Sequence, residues 1–575
     1  MKILPCRKAT GALFAFSGLD GEVDFDNQII SSLIDEDYGL GFIVTYPVEL
    51  AIWCQTRGSN PFRITSRKIL SDAVCYEIEK SGEKHSIKFV MLNDRTIIGQ
   101  TTKSFPLYIK DTKYGRATTS EGNKEVIEDD GAFAVLIRQE NGGEIKFALS
   151  VSLRDENQAG GNAEAALKAD VKGVFEEKVK YFDSFSEPAV KDRLVAECYY
   201  KAISVMKSMV YSADKKSGLR WTTPDRMPHR KMWLWDSAFH ALGMQYMEPR
   251  LAEEAIEAVL SYQRQDGFIP HMMSPGEISD IIQPPVLGWA SLKIFENNRD
   301  IDFLRRSYEP LKKFIDWILI NRKRGQTLGW HIHSHMLACK CGECGMDNSP
   351  RFDNYLDVES VDMISYVINE IEMLSEITGL IGEKIADNVL EKRRELISYL
   401  QQRFWDKGDE FFYDRQSGGD FIRIKTSASF IPLFAGAATD EQAAKMVKHL
   451  KNPEQFWGRF PVATTAFSES CYVKDYWRGP TWINNNYLII EGLKRYGYKD
   501  TAKELVDVTI SEISSWYEKT GVLWEFYDSK GEDCSGDFCK MGAMMAKRLR
   551  CLTTGAVADF GWTSSLFVHL LNEKL

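Results

Sequence analysis

At 575 residues, with 44% hydrophobic and 27% charged side chains, the chain has the composition of an ordinary soluble globular protein too long for one hydrophobic core; two domains, or one large toroid with an attachment, are expected. Its net charge of -10 offers no basic stripe to neutralise phosphate, which excludes nucleic acid and anionic membranes as expected partners and leaves a neutral one. Aromatic residues at 12% are on the rich side, which fits carbohydrate handling without establishing it.

The first residues, Met1-Lys2-Ile3-Leu4-Pro5-Cys6-Arg7-Lys8, are basic but lack the apolar stretch of a signal peptide, and no later run reaches membrane length, so a cytoplasmic protein is expected. From Met1 to about Asp183, short β-branched or aromatic runs (Gly39 to Tyr46, Ala73 to Ile78, Ala132 to Ile137) are separated by turn residues such as Ser81-Gly82-Glu83 and Glu140-Asn141-Gly142-Gly143. That pattern predicts an antiparallel β-sandwich domain over residues 1–183.

After Phe185 the period changes from two to three and four. Long amphipathic segments run from Val190 to Val210, Leu251 to Gln263, Asp300 to Ile320, Val358 to Ile377, Asn388 to Phe404, Asn486 to Tyr496 and Thr501 to Tyr517. Shorter ones lie at Ser237 to Met247, Pro285 to Asn297, Ala428 to Phe434, Glu441 to Leu450 and Thr563 to Leu571. About twelve helices pair into six inner and six outer ones, so the expected class is mainly α, with an (α/α)6 barrel over residues 184–575. The motif-bearing stretches fall mostly between helices, where loops at one end of a toroid would line a central pocket.

Eleven cysteines, an odd number with Cys6, Cys54, Cys75, Cys198 and Cys471 scattered singly, suit reduced thiols and imply no disulfide framework. Cys339, Cys341 and Cys344 follow His331, His333 and His335, which are zinc-ligand types. Only one C-x-x-C half-site is evident, so the leading reading is a loop of reduced thiols without a metal.

The chemistry rests on two carboxylates in distinctive surroundings: Asp347 within Gly345-Met346-Asp347-Asn348-Ser349-Pro350-Arg351-Phe352, and Glu525 within Trp524-Glu525-Phe526-Tyr527-Asp528. Acetal cleavage with inversion needs one carboxylic acid to protonate the leaving oxygen and one carboxylate across the sugar to activate water. Asp347 lies among Met346, Pro350 and Phe352, where desolvation favours its proton, whereas Glu525 lies beside Tyr527 and Asp528. The bland alternatives are a helix cap for Asp347 and a surface position for Glu525.

In chain order the motifs are Trp233-Leu234-Trp235-Asp236-Ser237, Gln265-Asp266-Gly267-Phe268-Ile269-Pro270 with Gln283-Pro284-Pro285, the stretch Gly345 to Phe352, Trp477-Arg478-Gly479-Pro480-Thr481-Trp482, and Trp524 to Asp528 with Phe560-Gly561-Trp562-Thr563. Over roughly residues 190–575 this series resembles glycoside hydrolase family 63 and, more distantly, the trehalases. The resemblance implies an (α/α)6 barrel that hydrolyses α-glycosidic bonds, usually of glucose, from the non-reducing end with inversion and without a cofactor, Asp347 being the acid and Glu525 the base. It also implies that Trp235 and Asp236 hold the sugar on the non-reducing side of the bond.

Gln265 and Gln283 can present amides to a sugar, and Trp477, Arg478, Trp482, Trp524 and Trp562 can wall it in, with loop-stabilising contacts as the alternative. Trp233 reads equally as core, and Arg351 as an ion-pair partner that orients the carboxylates. Where the family often has Glu-Ser-Gly, this chain has Glu343-Cys344-Gly345, which bears on the substrate rather than the reaction. Small α-glucosides or oligosaccharides are the leading substrate. Hydrolysis of mannosylglycerate, glucosylglycerate or trehalose is the alternative within the class; a silent sugar-binding protein and a phosphorylase are the alternatives outside it.

Overall fold

The computed structural model describes residues 3–55, 62–113, 119–185, 188, 190–333, 339–538, 540 and 555–573. The chain divides into two compact units: residues 1–221, 225–230 and 514–523, and residues 222–224, 231–513 and 524–575.

The first unit is built on two antiparallel sheets. One joins β1 (Leu13–Ala15), β2 (Ile30–Glu36), β3 (Gly39–Tyr46), β4 (Leu50–Gln55) and, returning last, β9 (Leu107–Asp111). The other has the order β10 (Thr119–Glu121), β11 (Lys124–Asp129), β12 (Ala132–Asn141), β13 (Glu144–Ser152), β8 (Thr96–Thr102), β7 (Glu83–Asn93), β6 (Ala73–Lys80), β5 (Phe62–Ile69). Between β12 and β13 the hairpin turns on Gly142 and Gly143, both at positive φ, which a two-residue primed turn demands. Phe42 of β3 meets Phe89 of β7 edge-on at 5.6 Å, and Phe89 reaches Phe147 of β13 at 6.0 Å, so alternate residues of the two sheets share one apolar interior.

The expectation of an all-β N-terminal region is corrected by two helices, α1 (Glu156–Ala166) and α2 (Val171–Tyr181). Asp155 caps α1 by accepting from the Asn157 and Gln158 N–H groups and Asp170 caps α2 by accepting from Lys172 N–H, a signal present in the sequence but masked in α1 by the helix-weakening pair Gly160-Gly161. With 39% helix and 23% strand, the class is mixed rather than mainly α. A third helix, α3 (Arg193–Met209), also belongs to the first unit.

The remaining helices are α4 (Leu234–Met244), α5 (Pro249–Leu260), α6 (Leu287–Asn298), α7 (Ile301–Asn321), α8 (Val361–Ile381), α9 (Asp387–Tyr399), α10 (Ile431–Phe434), α11 (Asp440–Leu450), α12 (Ile483–Arg495), α13 (Lys499–Thr520) and α14 (Gly561–Asn572). All twelve segments expected to be helical are so, the shortest as a 3-10 turn leading into α10. Helices α4, α6, α8, α10, α12 and α14 each pack on the next, and α14 returns to α4; α5 lies against α4 and α6, and α7 against α6 and α8. Burial explains which helices sit inside: every residue from Leu234 to Met244 and from Val361 to Ile371 is buried, whereas α9 buries only Leu396.

Glu370 ties two ring helices together by accepting from the N–H groups of Gly288 and Trp289, at 2.8 and 2.9 Å, in the first turn of α6. A Cβ on Gly288 would stand 2.6 Å from that carboxylate, so glycine keeps the cap seated. Complete burial pushes Glu370 up to about 8, against the two N–H donors and the positive end of α6. A carboxyl raised above its unfolded 4.5 contributes stability that is lost as pH climbs from there through about 8. Glu370→Gln is therefore expected to flatten the fall in unfolding free energy between those pH values, read by urea denaturation at each; an unchanged slope would refute this.

Candidate active site

The sequence motifs gather at the N-terminal ends of ring helices and in the loops before them. Trp235 and Asp236 occupy the first turn of α4, Trp482 immediately precedes α12, and Trp562 lies in the first turn of α14. Asp347 is delivered by a tight 3-10 turn, Gly342–Cys344, which ends at Gly345 with φ +72°. A Cβ at Gly345 would lie 2.4 Å from the Trp235 indole, so glycine serves both the left-handed turn and the approach of this loop to α4.

Asp347 is half-buried and its Oδ2 accepts a 3.1 Å hydrogen bond from the Tyr476 hydroxyl. The neighbouring segment clamps the same turn: Trp477 N–H donates to Asn348 Oδ1 at 2.9 Å, and Arg478 donates to the Asn348 carbonyl at 3.2 Å while pairing with Asp353 at 2.9 and 2.7 Å. Asp347 is not a helix cap, because the next 3-10 turn, Pro350–Phe352, starts from Ser349. Tyr476 has φ +48°, a left-handed conformation that costs a bulky residue on the order of 1–3 kcal/mol. Burial, then the charges of Asp347 and Glu525, push its hydroxyl well above the ordinary tyrosine range, so it remains a donor.

Glu525 is 1% exposed, which removes the surface reading. Its backbone N–H donates to Val557 O at 2.9 Å, its Oε2 accepts from Val557 N–H at 3.1 Å, and the Lys540 ammonium donates to both carboxylate oxygens at 2.9 Å. That ammonium also stands 5.0 Å from the centre of the Tyr476 ring. Tyr476 and Lys540 therefore link the two carboxylates, and neither was singled out from the sequence. Tyr476 directly precedes the Trp477-Arg478 motif, which was a usable signal; Lys540 follows a Cys-rich stretch of no evident pattern.

The aromatic wall is a nested cluster. Trp235 meets Trp562 edge-on at 5.6 Å and Trp477 at 6.0 Å, and the Trp562 indole N–H donates to the Glu525 carbonyl at 3.3 Å. Trp482, with no exposed surface, stacks on Trp477 at 3.6 Å and supports it from behind. Trp524 packs over Gly536, and its Nε1 and that of Trp477 are buried donors with no partner among the described residues.

Several other candidates have structural partners. Gln283 Oε1 accepts from Trp235 N–H at 3.2 Å, seating α4, and Trp233 packs edge-on against His271 at 5.0 Å. Asp236 is buried beside Trp235. Arg351 is buried between Asp362 and Asp414, at 2.8 and 3.0 Å. Gln265 is exposed in the turn after α5, and none of its described contacts joins it to the other site residues.

Glu343, beside Cys344, receives Arg322 and the N–H groups of Ile282 and His331, which braces the loop that carries Asp347. The nine described cysteines are free thiols, and burial pushes those of Cys339 and Cys341 upward. His335 lies outside the described residues. Among those described, the group with metal-holding geometry is Asp528, Glu532 and Asp533, and Lys474 already donates to all three at 2.9, 3.0 and 2.5 Å. No helix among the described residues is long and apolar enough to cross a membrane.

Two acidic groups on an indole-walled site suit hydrolysis of a glycoside, and the chain is similar to proteins named as glycoside hydrolases. The chain is 25% identical over 395 residues to mannosylglycerate hydrolase MGH1 of Selaginella moellendorffii, covering 53% of this chain and 77% of that protein. It is 26% identical over 413 residues to a mannosylglycerate hydrolase of Thermus thermophilus, covering 57% and 95%. The crystal structure of a GH63 mannosylglycerate hydrolase from a Thermus thermophilus strain, in complex with glucose, has a similar fold, with a TM-score of 0.53 at 22% identity over 65% of this chain and 99% of that one. Residues 228–563, more than half of the chain and all of the site, match the family of mannosylglycerate hydrolase MGH1-like glycoside hydrolase domains, and the chain thus belongs to glycoside hydrolase family 63.

Proposed function

We propose that this glycoside hydrolase acts with inversion on an α-glycosidic bond of a small glycoside, on an (α/α)6 barrel preceded by a β-sandwich, with Asp347 as general acid and Glu525 as general base. The observation that carries this is the link Asp347–Tyr476–Lys540–Glu525, which sets a half-buried acid and a buried carboxylate on one aromatic-walled site. Asp347, opposite the Tyr476 hydroxyl, passes its proton to the glycosidic oxygen as the bond breaks. Glu525 takes a proton from the water that attacks the anomeric carbon from the other side, Lys540 neutralising the buried carboxylate until a water replaces one of its contacts. No cofactor takes part. The carboxyl groups are expected to stand about 6.5–9.5 Å apart, room enough for that water.

Small α-glucosides or oligosaccharides are the general reading of the substrate. The family match and the two mannosylglycerate hydrolases favour a narrower one, an α-mannosyl or α-glucosyl glycerate, for which Lys540 is a cation within the site. Proton NMR of the protein with α-glucosyl disaccharides, glucosylglycerate and mannosylglycerate tests both. The β-anomer of free sugar is expected before mutarotation, from a glycerate more readily than from a disaccharide. Early α-sugar would overturn inversion, and binding without release would indicate a sugar-binding protein.

A further inference from the structure

The ring of α4, α6, α8, α10, α12 and α14 has a second mouth. Towards the opposite ends of these helices from Trp235 and Trp562 lies a cavity of about 790 Å3, lined by residues of α6, α8, α10, α12 and α14 and by Gln245 and Tyr246 just after α4, and reaching inward to Trp289 in the first turn of α6. Helices α4, α6, α10, α12 and α14 end at its wall, and α8 passes it with Asn369, Met373 and Glu376. The C-terminal ends of the longer helices bring partial negative charge to this space.

Side-chain charge has the same sign. Lys293 lies 2.6 Å from Glu491 and 3.6 Å from Glu573, and Lys494 lies 3.0 and 2.8 Å from the same two carboxylates, so these four groups balance. Arg495 lies 2.6 Å from Glu372, which also holds Arg393 at 2.8 Å, so the lining itself carries three cations, Lys293, Lys494 and Arg495, against four carboxylates, Glu296, Glu376, Glu491 and Glu573. Glu296 and Glu376 remain, both on the cavity wall, exposed, and without a hydrogen bond or ion pair among the described residues. Partial burial, then the charge of Glu372, push the Glu376 carboxyl upward against the opposing charge of Arg495.

The rest of the wall suits an organic ion rather than a bare one. Trp289 and Phe434, 4% and 3% exposed, meet edge-to-face at 5.4 Å on the inner wall, and Tyr246 adds a third ring; aromatic rings of this kind attract ammonium groups. Asn369, 1% exposed, also lines the cavity, and its Nδ2 has no partner among the described residues. A buried donor of this kind calls for an acceptor from whatever fills the space.

We propose that this cavity is a binding site for a hydroxylated organic ammonium ion, for which choline is the simplest probe. The cation sits against Glu296, Glu376 and the aromatic wall, and the hydroxyl accepts from Asn369. This site is separate from the one that holds Asp347 and Glu525, and it does not depend on the function proposed for them.

The test is thermal unfolding of the whole chain titrated with choline chloride at low ionic strength, against potassium chloride, tetramethylammonium chloride and 3,3-dimethyl-1-butanol, the neutral isostere of choline. Choline is expected to raise Tm saturably, tetramethylammonium to need about tenfold more because it lacks the hydroxyl, and the neutral isostere and potassium to have no effect. The double variant Glu296→Gln/Glu376→Gln is expected to bind choline at least about tenfold more weakly, while its Tm without ligand and its glycoside hydrolysis stay unchanged. An equal response to the neutral isostere, no saturable response to choline, or an undiminished response in the double variant overturns the proposal.

Discussion

Asp347→Asn and Glu525→Gln are each expected to lower kcat on an unactivated glycoside by about 10²–10⁴-fold with little change in KM, the usual contribution of a positioned acid or base. A glycosyl fluoride separates the two roles, because fluoride leaves without a proton. Asp347→Asn should therefore recover most of its rate on the fluoride, and Glu525→Gln should recover none, since the water still lacks its base. Neither change is expected to unfold the protein: Asn still accepts from the Tyr476 hydroxyl and Gln still accepts from Val557 N–H. Equal loss on both substrates in both variants would assign Asp347 a binding role and return the search for the acid to the loop around Cys339.

Asp347 and Glu525 stand out in the sequence because each sits in a run of residues with its own chemistry, and the ring helices were legible because their apolar faces recur over three or four turns. The N-terminal helices α1 and α2 were not, since Gly160-Gly161 weakens the helical signal of α1 and the strands on both sides set the reading of the region. At the site, a residue's type told what it can bond but not which way it faces. Arg351, Gln283 and Arg478 all carry groups suited to a sugar, yet they bond to Asp362 and Asp414, to the Trp235 N–H, and to Asp353. Each of those partners is between 11 and 125 residues away, so only the tertiary fold selects it. Lys540 is the reverse case: its pairing with Glu525 depends on a turn that no local pattern marks.

Removal of Arg351 is expected to have the largest effect on stability. Its side chain is 2% exposed and its guanidinium bonds Asp362 Oδ2 at 2.8 Å and Asp414 Oδ2 at 3.0 Å, while the other Asp414 oxygen accepts from Val361 N–H, just inside α8. Arg351→Ala leaves two buried carboxylates facing an emptied space, a change that costs about 3–5 kcal/mol when a buried pair loses one partner. The loss should grow with pH. Burial already raises Asp414 to about 6, and Arg351 is what opposes that rise; without the cation the carboxyl goes higher still. A carboxyl raised above its unfolded 3.8 contributes stability that fades as pH climbs through its folded value, so the variant loses stability over a wider span on the alkaline side than the parent does. Urea denaturation at pH 5 and pH 8 reads this directly. A variant equally destabilised at both would mean that Asp414 finds another partner when the arginine is gone, and Arg351→Lys, which restores charge without the forked geometry, should recover only part of the difference.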